Sequence, residues 1–149
     1  MFNIHTIVVP TDFSRLSRSA FEYAKDVAEM SDATIHLIHV LEKNPHFIQQ
    51  KVSDQSEAEF IRAAENEAEK KLLSAREEFE DSEIQIVHCL RKGVDYEEIV
   101  NYAKEVNASL IVIATHSRTG ALHNLLGSVA EKVIRYSKCP VLVIPPSED

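Results

Sequence analysis

The sequence predicts an α/β domain: a largely parallel sheet with helices on both faces. Three observations carry this prediction. Five short strand-like runs alternate with four segments of helical period, and right-handed crossovers turn that β-α-β-α-β-α-β-α-β order into parallel pairing. The first, second, fourth and fifth runs are nearly continuous in apolar residues, as strands covered on both faces are. From Leu110 to Ile144 an apolar run (LIVIA) empties into a polar loop (THSRTGALHNLL), Gly127-Ser128 opens a helix, and a last strand follows Cys139-Pro140. In an open α/β sheet such a strand, loop and helix start is where an anionic ligand is held.

Each element has its own local reason. Ile4 to Val9 is rich in β-branched residues and stops at Pro10, which has no N–H for a ladder. Thr11, Asp12 and Ser14 then offer capping side chains to a helix of about fifteen residues. Its apolar stripe is read as Leu16, Ala20, Tyr23, Ala24, Val27 and Ala28. Thr34 to Val40 is the second strand. Leu41 to Ser56, with Pro45 and Gln49-Gln50 and no steady period, is expected to be a mobile loop. In the next helix, Glu57 to Phe79, the residues Ile61, Ala64, Ala68, Leu72, Ala75 and Phe79 recur every three or four positions against a charged face. Ile84 to Leu90 is the third strand, with Gly93 closing the connection. Tyr96, Ile99, Val100, Ala103 and Val106 mark the third helix, which Asn107 stops. Leu110 to Ala114, Gly127 to Tyr136 and Val141 to Ile144 complete the order.

A chain of 149 residues with 44% hydrophobic side chains makes one domain, spanning 1–149, with a true core. Its 16 basic and 24 acidic residues leave a net charge of -8 and no basic patch, which disfavours nucleic acid and anionic membranes as partners. The opening MFNIHTIVVP lacks a positive region and a small-residue cleavage site, and no apolar run approaches a membrane span, so the expectation is a soluble, non-secreted protein. Cys89 and Cys139 sit far apart in apolar strand-like settings and are expected to be buried free thiols in a reducing compartment. A flavodoxin-like receiver shares the element order. It needs a phosphoacceptor Asp after strand three, where this chain has Arg91-Lys92-Gly93.

The candidate chemistry lies in two loops. The first, Pro10-Thr11-Asp12-Phe13-Ser14, contains no glycine and so is neither a dinucleotide fingerprint nor a phosphate loop. Asp12 has two compatible readings: acceptor for a ribose hydroxyl or adenine amino group, and cap of the first helix. In the second loop, Arg118 and Thr119 can contact phosphates, Gly120 permits an unusual backbone angle, and Gly127-Ser128 add backbone N–H groups and a hydroxyl. The bland alternative there is an ordinary loop, with Ser128 as an N-cap. His116 and His123 have no Cys or paired carboxylate at metal-ligand spacing, so no metal site is assigned. His39 beside Val40 is placed either facing the pocket or satisfied at the strand end. Ser117 lacks the flanking glycines of a nucleophile elbow, and no catalytic residue is assigned.

Together VVPTDFS, HLIHV, Gly93-Val94-Asp95 and ATHSRTGALHNLLGSVAEKVIRYSKCPVLVIP resemble the universal stress protein family over essentially the whole chain. That resemblance implies an open five-stranded parallel sheet of order 3-2-1-4-5, of the adenine nucleotide alpha hydrolase-like kind. It also implies a small cytoplasmic stress-response protein that dimerises through its last strand, Val141 to Ile144. One branch of the family binds ATP, with Mg²⁺ or Mn²⁺, through Gly, two residues, Gly, nine residues, then Gly and Ser or Thr. Gly127-Ser128 matches the end of this signature, whereas Ala114 and Ser117 occupy the two earlier glycine positions, and Asp95 replaces a family proline. By the resemblance, nucleotide contacts fall on Pro10, Thr11 and Asp12, with Asp12 and the backbone of Val40 around adenine and ribose. Ala114, His116, Ser117 and Arg118 follow on the ribose and phosphate side, and Gly127, Ser128 and Val129 at the phosphates. The implied function is a sensor or regulatory module acting on an unknown protein partner, with at most very slow hydrolysis. The alternative is a nucleotide-free, dimeric protein-interaction module, as in the family's other branch.

Overall fold

The computed structural model describes residues 2–42, 54–80, 82–115 and 126–146. Its elements follow the expected order: β1 (Thr6–Pro10), α1 (Arg15–Ser31), β2 (Thr34–Leu41), α2 (Asp54–Glu77), β3 (Ile86–Lys92), α3 (Asp95–Glu105), β4 (Leu110–Ala114), α4 (Ser128–Tyr136) and β5 (Val141–Ile144). All four strand pairings are parallel and the sheet runs β3-β2-β1-β4-β5, as the family resemblance implies.

Strand alternation sorts the core into two layers. On one face Ile7, Val9, Leu37, Leu110 and Val112 pack beneath α1 and α2, where Ala20, Phe21, Ala24 and Leu72 meet them. On the other, Val8, Ile38, Ile111 and Ile113 pack beneath Ile99 and Tyr102 of α3 and Ala130 and Val133 of α4. Burial of each such Val, Leu or Ile contributes roughly 2 kcal/mol, and the central strands supply most of the fully buried side chains.

Several boundaries differ from expectation for identifiable reasons. β1 starts at Thr6, where its pairing with Thr34 begins, and it includes Pro10. Pro10 is tolerated because the ladder to β2 does not use its N–H and continues through Thr11 N, which donates to the Ile38 carbonyl at 2.8 Å. In α1 the buried stripe is Ser17, Ala20, Phe21, Ala24 and Ala28. Tyr23 falls off that stripe and is 54% exposed, whereas Phe21 turns inward against Phe79. α2 begins at Asp54, three residues before the expected Glu57, and Phe79 packs on the core from just beyond its end. Most of the loop expected over Leu41 to Ser56 lies outside the described residues. Both cysteines are free but only half buried.

Chain reversals after α1, after α3 and before α3 use left-handed backbone, the first at Asp32 with φ 59°. Asn107, at φ 54°, ends α3 as expected, and Ala108 N bonds back to the Ala103 carbonyl at 2.8 Å. Gly93, at φ 150°, donates to the Leu41 carbonyl, and a Cβ there would stand 2.7 Å from Glu98 Oε1. The connection into α3 therefore requires glycine. No helix among the described residues is long and apolar enough to cross a membrane.

Candidate functional site

Parallel pairing brings the C-terminal ends of β1, β2 and β4 to one edge of the sheet. The strand order reverses between β1 and β4, and such a switch point leaves a crevice. A cleft of about 240 Å³ lies there. Pro10, Thr11, Asp12, Ser14, Leu16 and Ser17 form one wall, Ile38, His39, Val40 and Glu42 another. Asp95 and Ile99 of α3, Ile113, Ala114 and Thr115 at the end of β4, and Val129 and Ala130 of α4 complete it.

The β1–α1 loop is held by its own polar side chains. Asp12 Oδ1 accepts from Ser14 N at 2.9 Å and from the Ser17 hydroxyl at 2.5 Å, and Asp12 N donates to Ser17 Oγ at 3.1 Å. Ser14 is the N-cap of α1, its hydroxyl accepting from Ser17 N at 3.2 Å. The cap expected of Asp12 thus belongs to Ser14, because Asp12 stands two residues too early to reach the first turn's N–H groups. Asp12 instead closes a turn over Phe13, which takes a left-handed φ of 68° that few bulky residues adopt. His39 Nδ1 lies 2.7 Å from the Thr11 carbonyl, so that nitrogen carries the proton, and its ring packs 4.4 Å from Phe13. The two readings of His39 merge: it is satisfied at the strand end and it lines the cleft.

The opposite side is built differently. Gly127 is the N-cap of α4, with φ -63° and ψ 151°, and no side chain caps the helix. Its carbonyl accepts the first helical bond, from Glu131 N at 2.9 Å. Ser128, read as a possible N-cap, is instead the first helical residue and is exposed, since Gly127 already occupies the extended cap position. The positive end of the α4 dipole and its first-turn N–H groups face this edge, and among the described residues no side chain caps them. The described walls nearest β2 and α3 carry the carboxylates Asp12, Glu42 and Asp95. Charge therefore grades across the cleft, from acceptors at the β1, β2 and α3 side to donors at the α4 side.

Of the residues expected from sequence, Pro10, Thr11, Asp12, Val40, Ala114 and Val129 line the cleft together. Gly127 and Ser128 stand at the start of the same helix as Val129, outside the lining. His116, Ser117 and Arg118, with Thr119, Gly120 and His123, lie outside the described residues. Ala114 is a strand residue and is not among the described positive-φ positions, so its methyl costs no backbone strain. Asp95, first residue of α3, accepts from Tyr96 N at 2.6 Å through Oδ1. Sequence reasoning did not assign Ser17, Glu42, Asp95 or Thr115 to the site. Their signal was positional: Glu42, Asp95 and Thr115 follow strand ends that a parallel sheet must bring together.

Comparison with known proteins agrees with this architecture. The universal stress protein family profile matches residues 3–145. Universal stress protein MJ0531 of Methanocaldococcus jannaschii is 37% identical over 139 residues, 93% of this chain and 80% of its own. The solved structure of hypothetical protein MJ0577 superposes with a TM-score of 0.84 at 29% identity, covering 98% of this chain and 99% of that one. A universal stress protein solved in complex with cAMP gives a TM-score of 0.64 at 27% identity, covering 97% and 99%. On the match over nearly its whole length, this chain belongs to the universal stress protein family.

Proposed function

We propose that the chain is a regulatory module that holds an adenine nucleotide, ATP or a close relative, in the cleft between β1 and β4. The observation that carries the proposal is the charge gradient: acceptor side chains at one end and an uncapped helix start at the other suit a ligand with hydroxyl and amino donors at one end and phosphate at the other. Asp12 and the backbone of Val40 would hold ribose and adenine, and Gly127, Ser128 and Val129 the phosphates, with His116, Ser117 and Arg118 closing the polyphosphate side. Ala114 fits beside the ribose as an unstrained strand residue. The related protein solved with cAMP supports the ligand class. Among the described residues no group of three or more His, Cys, Asp or Glu side chains is placed to hold a metal ion. Mg²⁺ or Mn²⁺ would therefore arrive on the polyphosphate, whose charge it shields.

Calorimetric titration with ATP and Mg²⁺ is the direct test. Saturable binding is expected, and Gly127→Asp should abolish it by placing negative charge at the phosphate end. Absence of both heat and thermal shift at roughly millimolar ligand, against the micromolar range usual for specific sites, would overturn the proposal. Hydrolysis is expected to match a buffer control.

A second reading, a nucleotide-free interaction dimer, draws on Ala114 and Ser117 at positions where nucleotide-binding relatives have glycine. Both readings share a dimer through β5, which is an edge strand with Leu142 37% exposed. Sedimentation should give a dimer at about micromolar concentration, the range expected of a standard-size interface, and Leu142→Glu a monomer. Recovery of stoichiometric nucleotide from the purified protein decides between the readings.

A further inference from the structure

On the opposite side of the β1–α1 loop, between α1 and α2, lies a larger open groove of about 990 Å³. Thr11, Ser14 and Ser17 border both cavities, so the two stand back to back across one loop. The groove's floor is apolar: Phe13, Phe21, Leu37, Ala75 and Phe79. Its rim is cationic, with Arg15 and Arg18 from α1 and Lys70 and Lys71 from α2 against Glu67 and Glu78. Four positive and two negative side chains leave the rim at +2, in a chain whose net charge is -8.

The pairing pattern divides the rim further. Arg18 bridges the helices to Glu78 at 3.3 Å, and Lys71 pairs with Glu67 at 3.7 Å while its ammonium lies 5.6 Å from the Phe13 ring centroid. Among the described residues, no carboxylate comes within ion-pair distance of Arg15 or Lys70. These two cations line the same groove from different helices, with the positive end of the α1 dipole beside Arg15.

From this we infer a second ligand site, independent of the nucleotide cleft, for an amphipathic organic anion: an apolar ring or short acyl chain carrying one carboxylate, sulfonate or phosphate group. The apolar body covers what the partly buried Phe13, Ala75 and Phe79 still expose to water, and the anionic group supplies a partner to Arg15 and Lys70. A purely apolar ligand would leave those cations unpaired, and a purely ionic one would leave the floor wet.

Anilinonaphthalene sulfonate, an aromatic anion, is a suitable probe because it combines an apolar ring system with a single anionic group. Fluorescence titration of the full chain should show saturable binding of one dye per chain. Arg15→Glu combined with Lys70→Glu, both at exposed positions, should weaken it about tenfold at low salt, with the difference shrinking at about 0.5 M salt. Ala63→Trp, which fills the groove from an exposed position of α2, should abolish binding while circular dichroism and thermal midpoint stay at wild-type values. Gly127→Asp should leave dye binding unchanged whether or not nucleotide binds the other cleft. Non-saturable binding, equal affinity in the charge-reversed protein, retention in Ala63→Trp, or loss in Gly127→Asp would each overturn the inference.

Discussion

The starts of α1 and α4 flank the same cleft and are finished in opposite ways. α1 is closed by its own sequence: Ser14 caps it, and Asp12 braces the cap through Ser14 N and Ser17. α4 begins at a glycine, with no side-chain cap and only Glu131 as an acid in its first turn. α3 sharpens the contrast. It too lacks a side-chain cap, but Asp95, Glu97 and Glu98 crowd its first turn and offset its dipole. Of these three helix starts, α4 is the one that, among the described residues, has neither a side-chain cap nor a cluster of first-turn acids. A self-satisfied end positions side chains; an unsatisfied end has capacity to bind.

Substitutions can break that comparison, and the largest effect is expected at the open end. Ser128→Asp places a carboxylate in the first turn of α4, where it complements the dipole and leaves or slightly raises stability. Its repulsion of a bound phosphate, about 2 kcal/mol, should weaken nucleotide affinity about 30-fold by calorimetry. Unchanged affinity would remove α4 from the binding site. Next comes the closed end. Asp12→Ala deletes the acceptor for Ser14 N and the Ser17 hydroxyl and should cost about 1.5 kcal/mol in urea denaturation, whereas Asp12→Asn keeps an acceptor and should cost less than about 0.5 kcal/mol. Equal losses in the two variants would show that charge, not turn geometry, is the contribution of Asp12.

Ser14→Ala should cost about 1 kcal/mol in the same measurement and shift nucleotide affinity less than about twofold, because the cap contributes to stability alone. The smallest effect lies away from both ends, beneath α3. There the Tyr102 hydroxyl stands 2.7 Å from His36 Nδ1, burial pushes Tyr102 from 10.0 up to about 12, and burial lowers His36 below 6.5. The unfolded chain loses the tyrosine proton first as pH rises, so stability falls between pH 10 and about 12. The unfolded chain gains the histidine proton first as pH falls, so stability also declines below pH 6.5. Tyr102→Phe should remove the alkaline decline while leaving both helix starts intact, as followed by thermal melts across pH.

Much of the fold was legible because period and composition are local. β4 and β5 came out residue for residue, since uninterrupted apolar runs bounded by polar residues, or by proline as at Pro140 and Pro145, leave little freedom in where a strand starts and stops. The α1 stripe was misread at Tyr23 and Phe21 for a complementary reason. A helix carries apolar residues on adjoining faces, and only the position of the sheet selects among them. At the site, Asp12, Val40 and Ala114 were legible through the family resemblance and through their places at strand ends. Ser14 was legible among the three capping candidates, but Ser17 as the brace of Asp12 was not, because it depends on how the loop turns over Phe13, nor was the tautomer of His39, which is set by a contact with the Thr11 carbonyl on another strand's end.

By itself the sequence determined the element order, the parallel class of the sheet, the family, and the absence of a glycine-rich phosphate loop after β1. These follow from short-range chemistry: β-branched runs, helical periods, caps and breakers. Tertiary structure alone decided which helix starts are open, how charge grades across the cleft, and that a second, cation-rimmed groove backs onto the first. Those features arise where residues far apart in the chain converge, so they are set by the packing of helices on the sheet rather than by any one segment.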